Sequence, residues 1–223
     1  MTAIWGPLGW LTLHSISVNY PEIPKAEDKA IVKKFMDLFA ETISCPSCKN
    51  HFTDIYRSYT TNTPNWADSR YNLYLFVVRA HNTVNKRIDK PRPSTVAESL
   101  TMLQMATKLK KPSEYRNSYI KYLLNNWARE GGGEGMIQTR NVREMQKINE
   151  QYWNLRETPF DNLRFPESDI LTPIVSTPRF ERAYYLPSPP NPTVGNSSLH
   201  ITPLGQPPSV GFKFKGGRFS LAK

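Results

Sequence analysis

The 223-residue chain predicts an all-α fold: a four-helix bundle with a short fifth helix, then extra C-terminal helices and an extended Pro-rich tail. Three observations predict it. Apolar residues recur at three- and four-residue steps through the first 107 positions, the spacing of a buried helical face. No stretch alternates apolar and polar residues as a half-buried strand does. Eleven of the nineteen prolines lie after residue 157, where the helical period ends.

The elements follow in chain order. A first helix runs from Pro7 to about Asn19 and stops at Tyr20-Pro21, because a proline disfavours helical backbone at the residue before it. Residues 26–43 carry Ile31, Phe35, Leu38 and Thr42 on one face of a second helix. A third starts at Pro46, where the missing N–H costs nothing, and reaches about Tyr59. Residues 68–88 hold Tyr71, Leu73, Tyr74, Leu75, Phe76, Val77 and Val78, apolar nearly all round, so this helix belongs in the middle of the bundle. A short helix from Ser94 to Thr107 follows the Pro91/Pro93 break, closing a unit at residues 1–107. Residues 108–157 predict two more helices, Glu114–Arg129 and Met136–Glu157, with Gly131-Gly132-Gly133-Glu134-Gly135 as a flexible hinge. Residues 158–223 interleave prolines with Phe160, Phe165, Phe180, Tyr184, Tyr185, Phe212, Phe214 and Phe219, a composition that reads as extended chain.

Composition narrows the function. No run of about 18 apolar residues is present, so no membrane-spanning helix is expected. The N-terminus lacks the charged, apolar and small-residue succession of a secretory signal. Two cysteines cannot form the disulfide framework of a small secreted domain. The net charge of +10 raises the question of nucleic acid, but it is regional: +1 over residues 1–85, +7 over 86–129, −1 over 130–157 and +3 over 158–223. Lys86, Arg87, Lys90, Arg92, Lys108, Lys110, Lys111, Arg116, Lys121 and Arg129 read first as a solvated face. They lack the interleaved aromatics of a base-stacking groove except near Tyr115, Tyr119 and Tyr122, so nucleic acid is not the expected partner.

The two cysteines form Cys45-Pro46-Ser47-Cys48 at the start of the third helix. A thiol in a first helical turn feels unpaired N–H groups and the positive end of the dipole, which lowers its pKa and favours the thiolate. A two-residue spacer also lets the sulfurs close into a reversible disulfide. The same pair is half of a zinc site, which His14, His51 and His81 could complete, so a zinc-binding helical module stays open at this point. Trp10 and His14 lie four apart on one helical face; His81, Val84, Asn85 and Ile88 repeat on another, with Asn82 alongside. Such rings and amides suit a flat, nitrogen-rich ligand, with Lys86, Arg87 and Lys90 placed for a pyrophosphate.

At these residues the chain resembles the Erv/ALR flavin-linked sulfhydryl oxidases. The likeness rests on Trp10-x-x-x-His14, Tyr20-Pro21, Cys45-Pro46-Ser47-Cys48 with His51-Phe52, His81-Asn82-Thr83-Val84-Asn85 and Lys90-Pro91, in this order, over roughly residues 4–105. The resemblance implies a thiol oxidase with FAD inside the bundle. Cys45 would take electrons from a dithiol substrate or a redox partner, Cys48 would pass them to FAD, and O2 would accept them as hydrogen peroxide. It implies flavin contacts at Gly6, Trp10, His14, Cys48, His51, Phe52, Val78, His81, Asn82, Val84, Asn85, Ile88 and Lys90, and a homodimer through the first two helices. Three departures qualify it: no shuttle cysteine pair, no structural pair to pin the short fifth helix, and no aromatic between Lys90-Pro91 and Tyr115.

Minimal oxidases with unrelated appendages look like those of large cytoplasmic DNA viruses. That implies a virion-associated oxidase, in host cytoplasm or in the particle, with the tail bound to a larger assembly such as capsid proteins. An alternative of another class is a minor capsid or assembly protein built on the oxidase fold. On either reading, truncation near residue 158 is expected to detach the protein and leave its flavin in place.

Overall fold

A computed structural model describes residues 2–107, 111–156, 163–165 and 171–175. The described residues form seven helices and no strand: α1 (Thr2–Asn19), α2 (Ala26–Thr42), α3 (Pro46–Asn62), α4 (Arg70–Arg87), α5 (Val96–Thr107), α6 (Pro112–Glu130) and α7 (Gly132–Gln151), with a 3-10 turn at Trp153–Leu155. Each sequence-predicted helix is present. α1 begins five residues before Pro7 and carries it in its interior.

The centre of the molecule is α1 as well as α4. Residues 12–20 of α1 and its exit are buried without a break. That continuous burial arises because α1 packs against α4 on one side and α6 on the other. Its two buried serines are satisfied within the helix: Ser15 donates to the Thr12 carbonyl and Ser17 to the His14 carbonyl.

Residues 112–156 are part of the same core. α6 lies on α1, α7 lies on α2, and the two form an antiparallel hairpin. Tyr119, Ile120, Leu123, Trp127, Val142, Met145, Tyr152 and Trp153 share one apolar cluster with Leu13, Ile16, Phe35, Phe39 and Phe52. Trp153, wholly buried, packs edge-on against Phe35 at 6.0 Å, and Tyr152 donates to Asp28 at 2.6 Å. The glycine cluster is not the flexible hinge the sequence predicts. Gly131 and Gly132 take φ of +62° and +61° in a tight turn, and α7 starts at once. Gly135 sits where a β-carbon would come within 2.9 Å of the Trp127 carbonyl, so the hairpin closes only on glycine.

Arg116 corrects the solvated-face reading of the basic stretch. It is wholly buried and fans out to three acceptors: Asn149 on α7 at 2.7 Å, Ser15 on α1 at 3.2 Å and Asn154 at 3.0 Å. Lys86, Arg87, Lys90, Arg92, Lys111, Lys121 and Arg129 are exposed as expected, and Lys108 and Lys110 lie outside the described residues. Tyr115 and Tyr119 are buried, which removes them as base-stacking platforms.

The described part of the proline-rich region lies on the bundle. Leu163 and Leu171 are buried with Val18, Tyr74, Val78, Val96 and Leu103. Phe165 packs on Tyr71 and Tyr74, with ring centroids 5.3 and 4.7 Å away. The Leu171 N–H donates to the Ser94 carbonyl just before α5, the Ile174 N–H to Thr83 on α4, and Ser58 on α3 donates to the Val175 carbonyl. This strap supplies what the missing structural cysteines leave open, a hold on the short fifth helix. Residues 176–223, with the aromatics Phe180, Tyr184, Tyr185, Phe212, Phe214 and Phe219, lie outside the described residues, as does Phe160.

Candidate functional site

The redox pair is built by a helix start. Cys45 is the N-cap of α3, in extended backbone, and its Sγ accepts the Cys48 N–H at 3.4 Å while Pro46 opens the helix. Cys45 and Cys48 are joined in a disulfide, their Cα atoms 5.2 Å apart. Both are partly exposed, and of the two only Cys48 lines the cavity behind them.

That cavity has a volume of about 1010 Å³, at the top of the range for ligand sites. Gly6, Trp10, His14, Cys48, His51, Phe52, Val78, His81, Asn82, Val84, Asn85, Ile88 and Lys90 all line it, so every position implied for the flavin faces one space. Arg87 joins them; of the pyrophosphate candidates, Lys86 does not. α1, α3 and α4 provide most of the wall. Sequence reasoning missed Trp5, Phe39 and Ile43, and the contribution of α5: Ser99, Met102, Leu103 and Ala106. The α5 residues stand on one face at three- and four-residue steps.

Within the cavity Trp10 and His81 stack with centroids 4.2 Å apart and planes 10° from parallel; Phe52 meets Trp10 edge-on at 6.1 Å. His14 Nε2 and His81 Nδ1 share a hydrogen bond of 3.1 Å. Burial, then the neighbouring His81, lowers His14 to about 3; burial, then Lys90, lowers His81 to about 4. Both imidazoles are therefore neutral at pH 7. His51, nearer the surface, is also lowered, by burial first and then by Arg87.

His14 Nδ1 is buried without a hydrogen-bond partner in the protein. An unpaired polar atom in the wall of a largely apolar cavity is what a ligand with ring nitrogens and carbonyls would satisfy. The asparagines divide their work. Asn82 donates its amide to the Pro93 carbonyl at 2.8 Å and Asn85 to the Pro91 carbonyl at 3.1 Å. Each nitrogen thus spends one of its two N–H groups on fixing the loop between α4 and α5. Asp89 takes φ +52° where α4 ends, a left-handed cap that aspartate tolerates, and Lys90 N–H returns to the Asn85 carbonyl.

The zinc reading finds no support. A disulfide has no thiolates to give, His14 and His81 bond each other, and among the described residues no three His, Cys, Asp or Glu side chains gather to hold a metal ion. No helix among the described residues is long and apolar enough to cross a membrane.

A helical bundle with a Cys-x-x-Cys disulfide at the mouth of an aromatic cavity defines a class of redox protein, and comparison with known proteins agrees. The Erv1 / Alr family matches residues 8–122, and the chain belongs to that family. It is 33% identical over 87 residues to the mitochondrial FAD-linked sulfhydryl oxidase ERV1 of Saccharomyces cerevisiae, a match covering 39% of this chain and 44% of that protein. It is 27% identical over 121 residues to the FAD-linked sulfhydryl oxidase of African swine fever virus, covering 54% of this chain and 84% of the viral one. To the putative FAD-linked sulfhydryl oxidase 096R of Invertebrate iridescent virus 3 it is 28% identical over 89 residues, 40% of this chain and 59% of that protein. The chain thus spans under half the length of the yeast relative. No solved structure matches the chain.

Proposed function

We propose that the protein is an FAD-dependent thiol oxidase that makes disulfides in substrate proteins. The observation that carries this reading is the reducible Cys45–Cys48 pair with Cys48 in the wall of the Trp10, His14 and His81 cavity. The names of the relatives, FAD-linked sulfhydryl oxidases, support it.

A substrate thiolate attacks Cys45 Sγ; the Cys45–Cys48 bond breaks, a mixed disulfide forms at Cys45, and Cys48 leaves as a thiolate. A second substrate thiolate attacks the substrate sulfur of the mixed disulfide and releases Cys45, so the substrate has lost two electrons and the pair has gained them. The start of α3 stabilises the thiolate formed at Cys45 through the Cys48 N–H and the helix dipole. Trp10, Phe52 and His81 offer flat apolar faces, neutral His14 offers its unpaired Nδ1, and Arg87 and Lys90 offer charge to phosphates. FAD, when bound there, supplies a two-electron acceptor that O2 can reoxidise to hydrogen peroxide. The protein should purify yellow with one flavin per chain. Cys48→Ser should keep the flavin and abolish oxygen uptake with dithiothreitol; turnover surviving in that variant would contradict the role of Cys48.

The viral relatives support a second, narrower reading: association with a virus particle through the residues beyond the strap. A chain ending at residue 180 should keep flavin and oxidase activity but be absent from purified particles. Retention of the shortened chain in particles would remove the tether, and with it the alternative of an assembly protein. In place of the implied homodimer we propose a monomer, because α6 and α7 already cover α1 and α2.

A further inference from the structure

The stretch that presents the redox pair is fixed at its other end by the α6–α7 hairpin. α2 ends at Thr42, and its C-cap Ile43 leaves in extended backbone with no glycine to fold the chain back over the last carbonyls. Those carbonyls have no partner inside the helix and need one from elsewhere. The Thr42 hydroxyl turns back to Leu38. The Thr42 carbonyl takes the indole N–H of Trp127 on α6, at 3.0 Å and buried. Three residues further on stands Cys45.

Everything around this bond keeps it in register. Trp127 is 8% exposed and belongs to the cluster that holds Phe39 and Ile43 and that Cys48 packs against. The first turn of α7 presses on its backbone at Gly135. On the solvent side Lys49 and Glu41 pair across the same α2–α3 corner at 2.6 Å. The inner tie is the buried one, and screening by salt weakens only the outer.

We propose that Trp127 is a positioning residue for the redox pair: its N–H fixes the end of α2, and so the short approach that sets Cys45 as the cap of α3 and turns Cys48 to the cavity. The proposal rests on the thiol-oxidase reading and assigns the α6–α7 hairpin a part in it. Two substitutions separate the bond from the bulk. Trp127→Phe keeps a ring but has no donor. Trp127→His places an imidazole Nε2–H where the indole N–H lies but gives up the benzo ring.

The test uses the full-length flavoprotein. The equilibrium of the Cys45–Cys48 pair with glutathione is measured, together with the anaerobic rate of flavin bleaching by dithiothreitol. Trp127→Phe should retain flavin, slow bleaching about tenfold, since small misplacements of reacting groups carry penalties of that order and above, and shift the glutathione equilibrium about threefold or more. Trp127→His should return both readings toward wild type. Wild-type values in Trp127→Phe, or a greater loss in Trp127→His than in Trp127→Phe, would show that bulk alone matters and overturn the proposal. So would loss of flavin in both variants, which would make Trp127 a plain core residue. If the wild-type protein neither holds flavin nor oxidises dithiols, the thiol-oxidase reading fails, while the glutathione equilibrium still reports on Trp127.

Discussion

His14 and His81 link the chemistry of the cavity to the stability of the fold. Their pKa values fall to about 3 and about 4 in the folded chain, against about 6.5 for an unperturbed imidazole. Between those limits the unfolded chain binds more protons than the folded one, so stability rises with pH. The contribution is complete above about pH 6.5 and is lost progressively as the pH falls through about 4 for His81 and about 3 for His14. We expect the urea midpoint to drop over that window. His81→Phe, which keeps a ring for Trp10 to stack on, should flatten the profile; an equally steep profile in that variant would remove the histidine pair as its source. Arg116 offers a second case. Lysine in its place keeps the charge but cannot reach Asn149, Ser15 and Asn154 at once. Arg116→Lys should therefore lower stability by about 2 kcal/mol or more, the order of one or two buried polar groups left unpaired, as read by urea titration.

At the level of elements, the short helix α5 and the strap depend on each other. α5 lines the cavity with Met102, Leu103 and Ala106, and Leu103 is buried in the cluster that contains Leu163 and Leu171. Truncation near residue 158 would strip those leucines and the Leu171–Ser94 bond. The sequence-based expectation that such a chain keeps its flavin is therefore reversed: it should lose flavin on gel filtration, whereas a chain ending at residue 180 should not. Within the full chain, Leu171→Ala should cost about 2 to 4 kcal/mol and weaken flavin retention. Unchanged flavin content in both changes would mean α5 holds its place unaided. The strap was not legible in the sequence because its two leucines sit in proline-rich chain with no period to mark a buried face. The first five helices were legible because Phe35, Leu73 and Phe76 keep helical spacing. The positions implied for the flavin, though not the whole lining, were legible through the motifs at Trp10, Cys45 and His81. The α5 wall was not, because an apolar position on a short helix shows that it is covered but not by what. The glycines at 131–135 misled for a related reason: composition reports freedom of backbone, and here two positive φ values and one close approach use it to lock a turn.

For the whole molecule, the question is what the apolar sides of α1 and α2 face. In this chain they face α6 and α7, with Trp153 closing over Phe35 and Tyr119 over Phe39. Gly9 records how closely α6 approaches, since a β-carbon there would lie 3.4 Å from the Tyr119 ring. A second copy could use the same surface only by lifting the hairpin, which would expose buried Trp153, Val142 and Met145 and break the fan of bonds from Arg116. Apolar side chains of that size cost about 1.5 to 3 kcal/mol each to return to water. Closure by the chain's own helices is thus favoured over pairing at ordinary concentrations. We expect sedimentation equilibrium to give 25.6 kDa for the polypeptide at all loading concentrations. A stable species of twice that mass would show that another face pairs, or that the hairpin opens. Trp153→Ala distinguishes the two. If the hairpin opens to pair, loosening it should tighten the association and shift the mass toward the dimer at lower loading concentrations. If a different face pairs, the substitution should lower stability and leave the mass unchanged.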